Sequence, residues 1–182
     1  MVRADLGADV IAVEPPEGNS GRHCGPFAND VDDGEHSLTW WPYARHKHSM
    51  TADLGTDEGR ERVRQLAATS AVLLESSGPG VLSAIGLGYD VLIGANPALV
   101  YASISGFGHG GPKSGYAESD LTVVASSGQM AIIGDSDRAP MIVGVPQSGL
   151  HADTEAATGR CSLELVRLVG LFDWQDRLVR FA

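Results

Sequence analysis

The residues with chemical potential fall into a few short groups. The segment Val145-Pro146-Gln147-Ser148-Gly149-Leu150-His151 runs into a helical pattern, with Asp153 and Glu155 just beyond. It gathers an amide, an imidazole and two carboxylates within about two helical turns. His151 has an unperturbed pKa near neutrality and could give or take a proton. Asp153 could supply a nucleophilic carboxylate, although acids near a helix start are also favoured by the dipole alone. Arg45 and Lys47, in Arg45-His46-Lys47-His48-Ser49, are clustered cations in a chain that has few, and they suit phosphate groups. Glycine-rich turns stand at Gly78-Pro79-Gly80 and at 106–112 (GFGHGGP), where φ can be positive and a ligand can approach the backbone. His23, Cys24, His46 and His48 match no zinc spacing, so no metal is expected. No GxGxxG follows a strand, and no P-loop is present.

Composition narrows the classes. The 182 residues suffice for one domain with a sizeable core, and 43% hydrophobic with 20% charged residues is ordinary for a globular protein. A net charge of −10 disfavours nucleic acid or an anionic membrane as the main partner. The two cysteines, Cys24 and Cys161, have no redox or metal spacing and fit a reducing compartment. No apolar run of membrane-spanning length and no signal-peptide pattern appears, so the cytoplasm is the expected location.

The elements that must position these groups alternate. Ala4 to Pro16 (ADLGADVIAVEPP) reads as a helix end, a glycine turn and a short strand closed by Glu14. A parallel strand there needs a partner that the few preceding residues cannot supply. Either the start is truncated or another segment provides the edge. Residues 17–50 read as irregular: a functional loop, a lid, or a segment packed by a partner. Thr56-Asp57-Glu58 open a helix with Thr56 as cap and Val63, Leu66 and Ala67 as its apolar stripe. Strands are expected at 71–75, 98–105 and 141–145, and helical segments at 79–85, 89–94, 118–127 and 148–169. This alternation predicts an α/β fold: a Rossmann-like, mostly parallel open sheet with helices on both faces.

Five blocks then occur in a characteristic order: 4–18 (ADLGADVIAVEPPEG), 45–61 (RHKHSMTADLGTDEGRE), 71–112 (AVLLESSGPG through GFGHGGP), 119–128 (SDLTVVASSG) and 139–159 (APMIVGVPQSGLHADTEAATG). Together they resemble the family III CoA-transferases, a superfamily that also holds formyl-CoA transferases and α-methylacyl-CoA racemases. The resemblance spans residues 4–159. It implies an incomplete large, CoA-binding domain over 1–159, followed by a divergent helical tail over 160–182. It also implies coenzyme A or acyl-CoA as substrate, a carboxylic acid as the second substrate, and a homodimer or a heteromer with a related subunit. Relatives are about twice this length. Their first strand and helix, and their small domain, have no counterpart here.

The family's usual aspartate nucleophile follows a VGVP segment. By that resemblance Gly149 occupies its place, and glycine carries no attacking group. Asp153, one turn on, is a possible substitute, while His151 and Gln147 would lie near the thioester. Arg45 and Lys47 would hold CoA phosphates. Gly78, Pro79, Gly80 and Gly106 would shape the pocket, with Asp120 either a further CoA-site residue or an acid at a helix start. Ala84 stands where relatives often have an arginine. The expected reaction is transfer of CoA between an acyl-CoA and a carboxylic acid. The alternatives are a non-catalytic subunit or fragment, and a racemase or isomerase working through His151.

Overall fold

The structure, a computed structural model, describes residues 2–135, 137–169 and 178–181. It divides into two units, residues 1–66 and 67–182.

The first unit opens with helix α1 (Val2–Asp5), which Gly7 ends in the left-handed region at φ +89°. Strand β1 (Ile11–Glu14) follows. Its partner is β2 (His48–Thr51), paired in parallel from Ile11↔His48 to Glu14↔Thr51. One side of β1 is therefore paired from downstream, out of the RHKHS segment itself. The stretch between the two strands, expected to be irregular, holds two 3₁₀ turns, Ser20–His23 and Ala28–Asp30, and helix α2 (Trp40–Ala44). Side chains replace periodicity as its organiser. Buried Ser37 donates its hydroxyl to the Cys24 carbonyl at 2.5 Å and accepts from the Trp40 amide at 3.0 Å.

Helix α3 (Asp57–Thr69) forms as its pattern predicts. The Thr56 hydroxyl oxygen accepts from the Gly59 amide at 3.1 Å, and Val63 and Ala67 are buried. Gly59 is required by packing: a Cβ there would stand 1.9 Å from the Asp53 carbonyl oxygen.

The second unit is built on a three-stranded parallel sheet with order β3-β4-β5: β3 (Val72–Glu75), β4 (Val100–Ile104) and β5 (Leu178–Phe181). β4 is central, and Val100, Tyr101, Ala102 and Ser103 are all buried, as expected of a strand flanked on both edges. Between β3 and β4 lie α4 (Val81–Ala84) and α5 (Tyr89–Ala95); Leu92 of α5 and Leu87, in the turn between the two helices, are fully buried. The Asn96 side chain ties the α5 end to the carbonyls of Ala67 and Ser70, at 2.9 Å each. After β4 come α6 (Asp120–Ser126), α7 (Gln129–Ile132) and the long α8 (Ser148–Val169).

One expected element is absent. Met141 to Val145 is irregular, not a strand, and Met141, Val143 and Val145 are 51%, 40% and 55% exposed. Its β-branched composition suits a pleated surface, but among the described residues no neighbouring strand offers backbone partners. The tail is helical as expected over 160–169, which continue α8, whereas 178–181 form β5. Residues 170–177 of the expected tail lie outside the described residues.

Candidate functional site

Two strands end in glutamate, and each carboxylate organises its surroundings. Glu14, 4% exposed at the end of β1, receives Nε and Nη2 of Arg22 at 2.7 and 2.9 Å. It also receives the Ser49 hydroxyl at 2.7 Å and the Asn19 amide at 3.0 Å. The Arg22 guanidinium, together with these smaller donors, holds the Glu14 carboxyl well below its usual range, at about 2. Arg22 also reaches Glu35 at 2.9 Å and lies 5.2 Å over the Trp40 ring.

Glu75 ends β3. The parallel register sets it directly opposite Ser103 of β4. Ser103 donates its hydroxyl to Oε1 of Glu75, and Nε2 of His109 lies 2.6 Å from the same hydroxyl oxygen. Oε2 of Glu75 accepts the Ser77 amide at 2.7 Å. These groups, with Gly78, Gly80, Leu82, Ser83, Tyr89 and Tyr101, line a cavity of about 90 Å³. Burial, helped by the nearby Glu75 charge, pushes the Tyr101 hydroxyl up to about 12, so it stays neutral. The Tyr89 and Tyr101 rings meet edge to face at 5.9 Å.

A second cavity, of about 390 Å³, shares Gly78 with the first. Its walls are Pro79, Ser105, Phe107, Ser114, Gly115, Tyr116 and Glu118. Its volume lies in the range of small-molecule sites. Both cavities stand at the carboxyl ends of β3 and β4, where open parallel sheets bind ligands. Gly78 and Gly80 adopt φ of +90° and +77°, and a Cβ on either would meet nothing within 4 Å. Gly106 is different: a Cβ there would come 2.6 Å from Glu118 Oε2 and 2.8 Å from Val123 Cγ2, so packing accounts for it.

The other sequence-derived candidates sit as follows. Arg45 forms a two-point ion pair with Asp5, Nε–Oδ1 3.0 Å and Nη2–Oδ2 2.7 Å. Lys47 is half-buried and makes no side-chain ion pair among the described residues. Asp120, at the first turn of α6, accepts the amides of Gln147 and Ser148 at 2.8 and 2.7 Å, and the Ser148 hydroxyl at 2.7 Å. Those contacts, that of the Ser148 hydroxyl foremost, lower the Asp120 carboxyl pKa. Asp120 thus caps the start of α8, while Ser119 and Thr122 form a capping box on α6. Gly149, in the first turn of α8, faces open space. His151 and Asp153 are exposed on α8, and the Gln147 side chain donates to the Val145 carbonyl at 3.1 Å. Gln147 lines neither cavity, nor do Gly149, His151 and Asp153 of α8.

Sequence reasoning missed Glu75, Ser103 and His109. The signal was there in the polar residues of two otherwise apolar strands, but only the register shows that they face each other. Among the described residues no group of His, Cys, Asp and Glu gathers as a metal site, and no helix is long and apolar enough to cross a membrane.

Known proteins provide the remaining observations. Residues 1–158 match the model of CoA-transferase family III. The succinate–glutarate CoA-transferase of Agrobacterium fabrum is 43% identical over 145 residues, 78% of this chain and 36% of that protein. The succinyl-CoA:(R)-benzylsuccinate CoA-transferase subunit BbsE of Thauera aromatica is 37% identical over 156 residues, 86% of this chain and 38% of that one. A crystal structure of a CAIB/BAIF family protein from Brucella suis matches with a TM-score of 0.77 at 40% identity, over 92% of this chain and 45% of that one. The chain thus spans a little over a third of the length of these curated relatives.

Proposed function

Because the chain belongs to CoA-transferase family III, we propose that it binds acyl-CoA and takes part in moving CoA between an acyl thioester and a carboxylic acid. The observation that carries this reading is the family match across 1–158. The cavity of about 390 Å³ at the carboxyl edge of the sheet supports it. Gly78, Pro79 and Phe107, from the turn 78–80 and the loop 106–112, stand in its wall. Lys47 is the freer phosphate partner, since Arg45 is engaged by Asp5. In this reading His151 and Gln147 serve the thioester, and Asp153, one helical turn on, stands in for the absent side chain at position 149. Isothermal titration of the 182-residue chain with CoA and acetyl-CoA tests the proposal. Saturable heat in the micromolar to millimolar range is expected, and none at millimolar ligand would overturn it.

A second reading has its own observation, the bare backbone and open space at Gly149. In it the chain is a CoA-binding but non-transferring subunit that pairs with a copy of itself or a related chain. Mass spectrometry after incubation with acyl-CoA and hydroxylamine separates the two. A hydroxamate on any carboxylate of this chain excludes the non-transferring reading.

A further inference from the structure

The Glu75–Ser103–His109 cluster has no part in the transfer reading, and its hydrogen bonds fix what it can do. The Glu75 carboxylate only accepts, and Ser103 has a single hydroxyl proton, which goes to Oε1 of Glu75. Nε2 of His109, 2.6 Å from the Ser103 oxygen, must then be the donor of that contact. The neutral imidazole is therefore the Nε2–H tautomer, with its lone pair on Nδ1. Among the described residues Nδ1 has no hydrogen-bond partner. A proton taken up at Nδ1 creates an imidazolium whose charge is answered by Glu75 through the Ser103 hydroxyl. The Ser77 amide, 2.7 Å from Oε2, keeps that carboxylate in place. An anion, an orienting hydroxyl and an imidazole with a free nitrogen is the arrangement of a general base.

The surroundings supply what such a base would act on. The cavity these residues line, about 90 Å³, has room for a few water molecules. It meets the larger cavity of about 390 Å³ at Gly78, where no side chain stands on the shared wall.

We infer that His109, aligned by Ser103 and Glu75, activates water in the smaller cavity and hydrolyses an acyl thioester bound in the larger one. The inference rests on the acyl-CoA reading for its substrate and goes beyond it in reaction. Water gives a proton to Nδ1 of His109 as its oxygen bonds to the thioester carbonyl carbon. The carbon–sulfur bond breaks, and the departing thiolate takes the proton back from the imidazolium. The products are the free acid and CoA thiol. His109 is the catalytic residue; Ser103 and Glu75 are positioning residues.

The test uses the 182-residue chain with acetyl-CoA in ¹⁸O-water. Thiol release is followed with a disulfide dye, and the isotope content of the acetate by mass spectrometry. One ¹⁸O per acetate is expected, with thiol and acetate in equal amounts. His109→Ala and His109→Gln should each lower kcat about 100-fold or more. Both lie in a loop, and circular dichroism checks that each is folded. Ser103→Ala and Glu75→Gln should lower kcat about tenfold with KM little changed. The groups facing the imidazole are Glu75, Tyr89 and Tyr101. Acetyl-CoA binding with no thiol release, or with release that both His109 variants retain, overturns the inference and leaves the acyl-CoA reading standing. No binding at millimolar ligand removes both.

Discussion

Glu14 and Glu75 hold the same place in two parallel strands, IAVE and VLLE, yet one is saturated and the other is open. Glu14 receives four hydrogen bonds, two of them from a guanidinium, and is shut from water. Glu75 receives a hydroxyl and one amide and borders a cavity. A strand-end carboxylate becomes a structural pin when an arginine closes over it. It stays available to chemistry when its neighbours are a serine and a histidine. Strand position alone does not decide between these fates.

The largest expected effect breaks the pin. Glu14→Gln leaves the Arg22 charge without its buried partner and should cost about 3 kcal/mol in urea unfolding. The acidity of Glu14 gives an independent check. Its carboxyl is held near 2 against an ordinary 4.5, so its contribution is full above about pH 4.5 and drains away as pH falls toward 2. That contribution amounts to about 3 kcal/mol. Unfolding measured across this window should lose its steepest pH dependence in Glu14→Gln. The matching change at the other strand end, Glu75→Gln, should cost less than about 1 kcal/mol. Equal costs at the two positions would dissolve the contrast.

The cations sharpen the same distinction between engaged and available groups. Arg45 is taken by Asp5, whereas Lys47 has no such pair among the described residues. Lys47→Ala should weaken CoA binding about fivefold in titration at low salt, roughly 1 kcal/mol. Arg45→Ala should weaken it less. The smallest effect is expected at Gly149, where a methyl group meets open space. Gly149→Ala should raise stability by about 0.5 kcal/mol through helix propensity, measured by thermal unfolding. A loss there would mean that position 149 touches something after all.

The sequence made the regular elements legible wherever one physical signal dominated. Ser148–Val169 and Asp57–Thr69 carry clear helix starts, and the apolar runs around Val72 and Val100 carry strand signals. Met141 to Val145 misled, because β-branched residues report a preference for pleated surface, while a strand exists only where a neighbour pairs with it. The loop from Glu17 to Lys47 concealed its order for the opposite reason. Its organisation comes from Arg22, Ser37 and Trp40, whose contacts have no period. Among the candidate site residues, the glycines at 78 and 80 showed their need for positive φ. Asp120 read as a pocket residue by resemblance or as a helix-start acid; it stands in the first turn of α6, and only the structure reveals its bonds to the start of α8. The His109 cluster depends on the pairing register of β3 with β4, which no single segment encodes.

The position of β4 carries a consequence for synthesis. Its two neighbours come from opposite sides in sequence, β3 at 72–75 and β5 at 178–181. A chain emerging N-terminus first must complete α8 before the second neighbour exists. Until then one margin of the central strand shows bare amides and carbonyls, the template on which foreign strands add. Nascent chains paused within α8 are thus the form of this protein most prone to aggregate, or to be held by a chaperone.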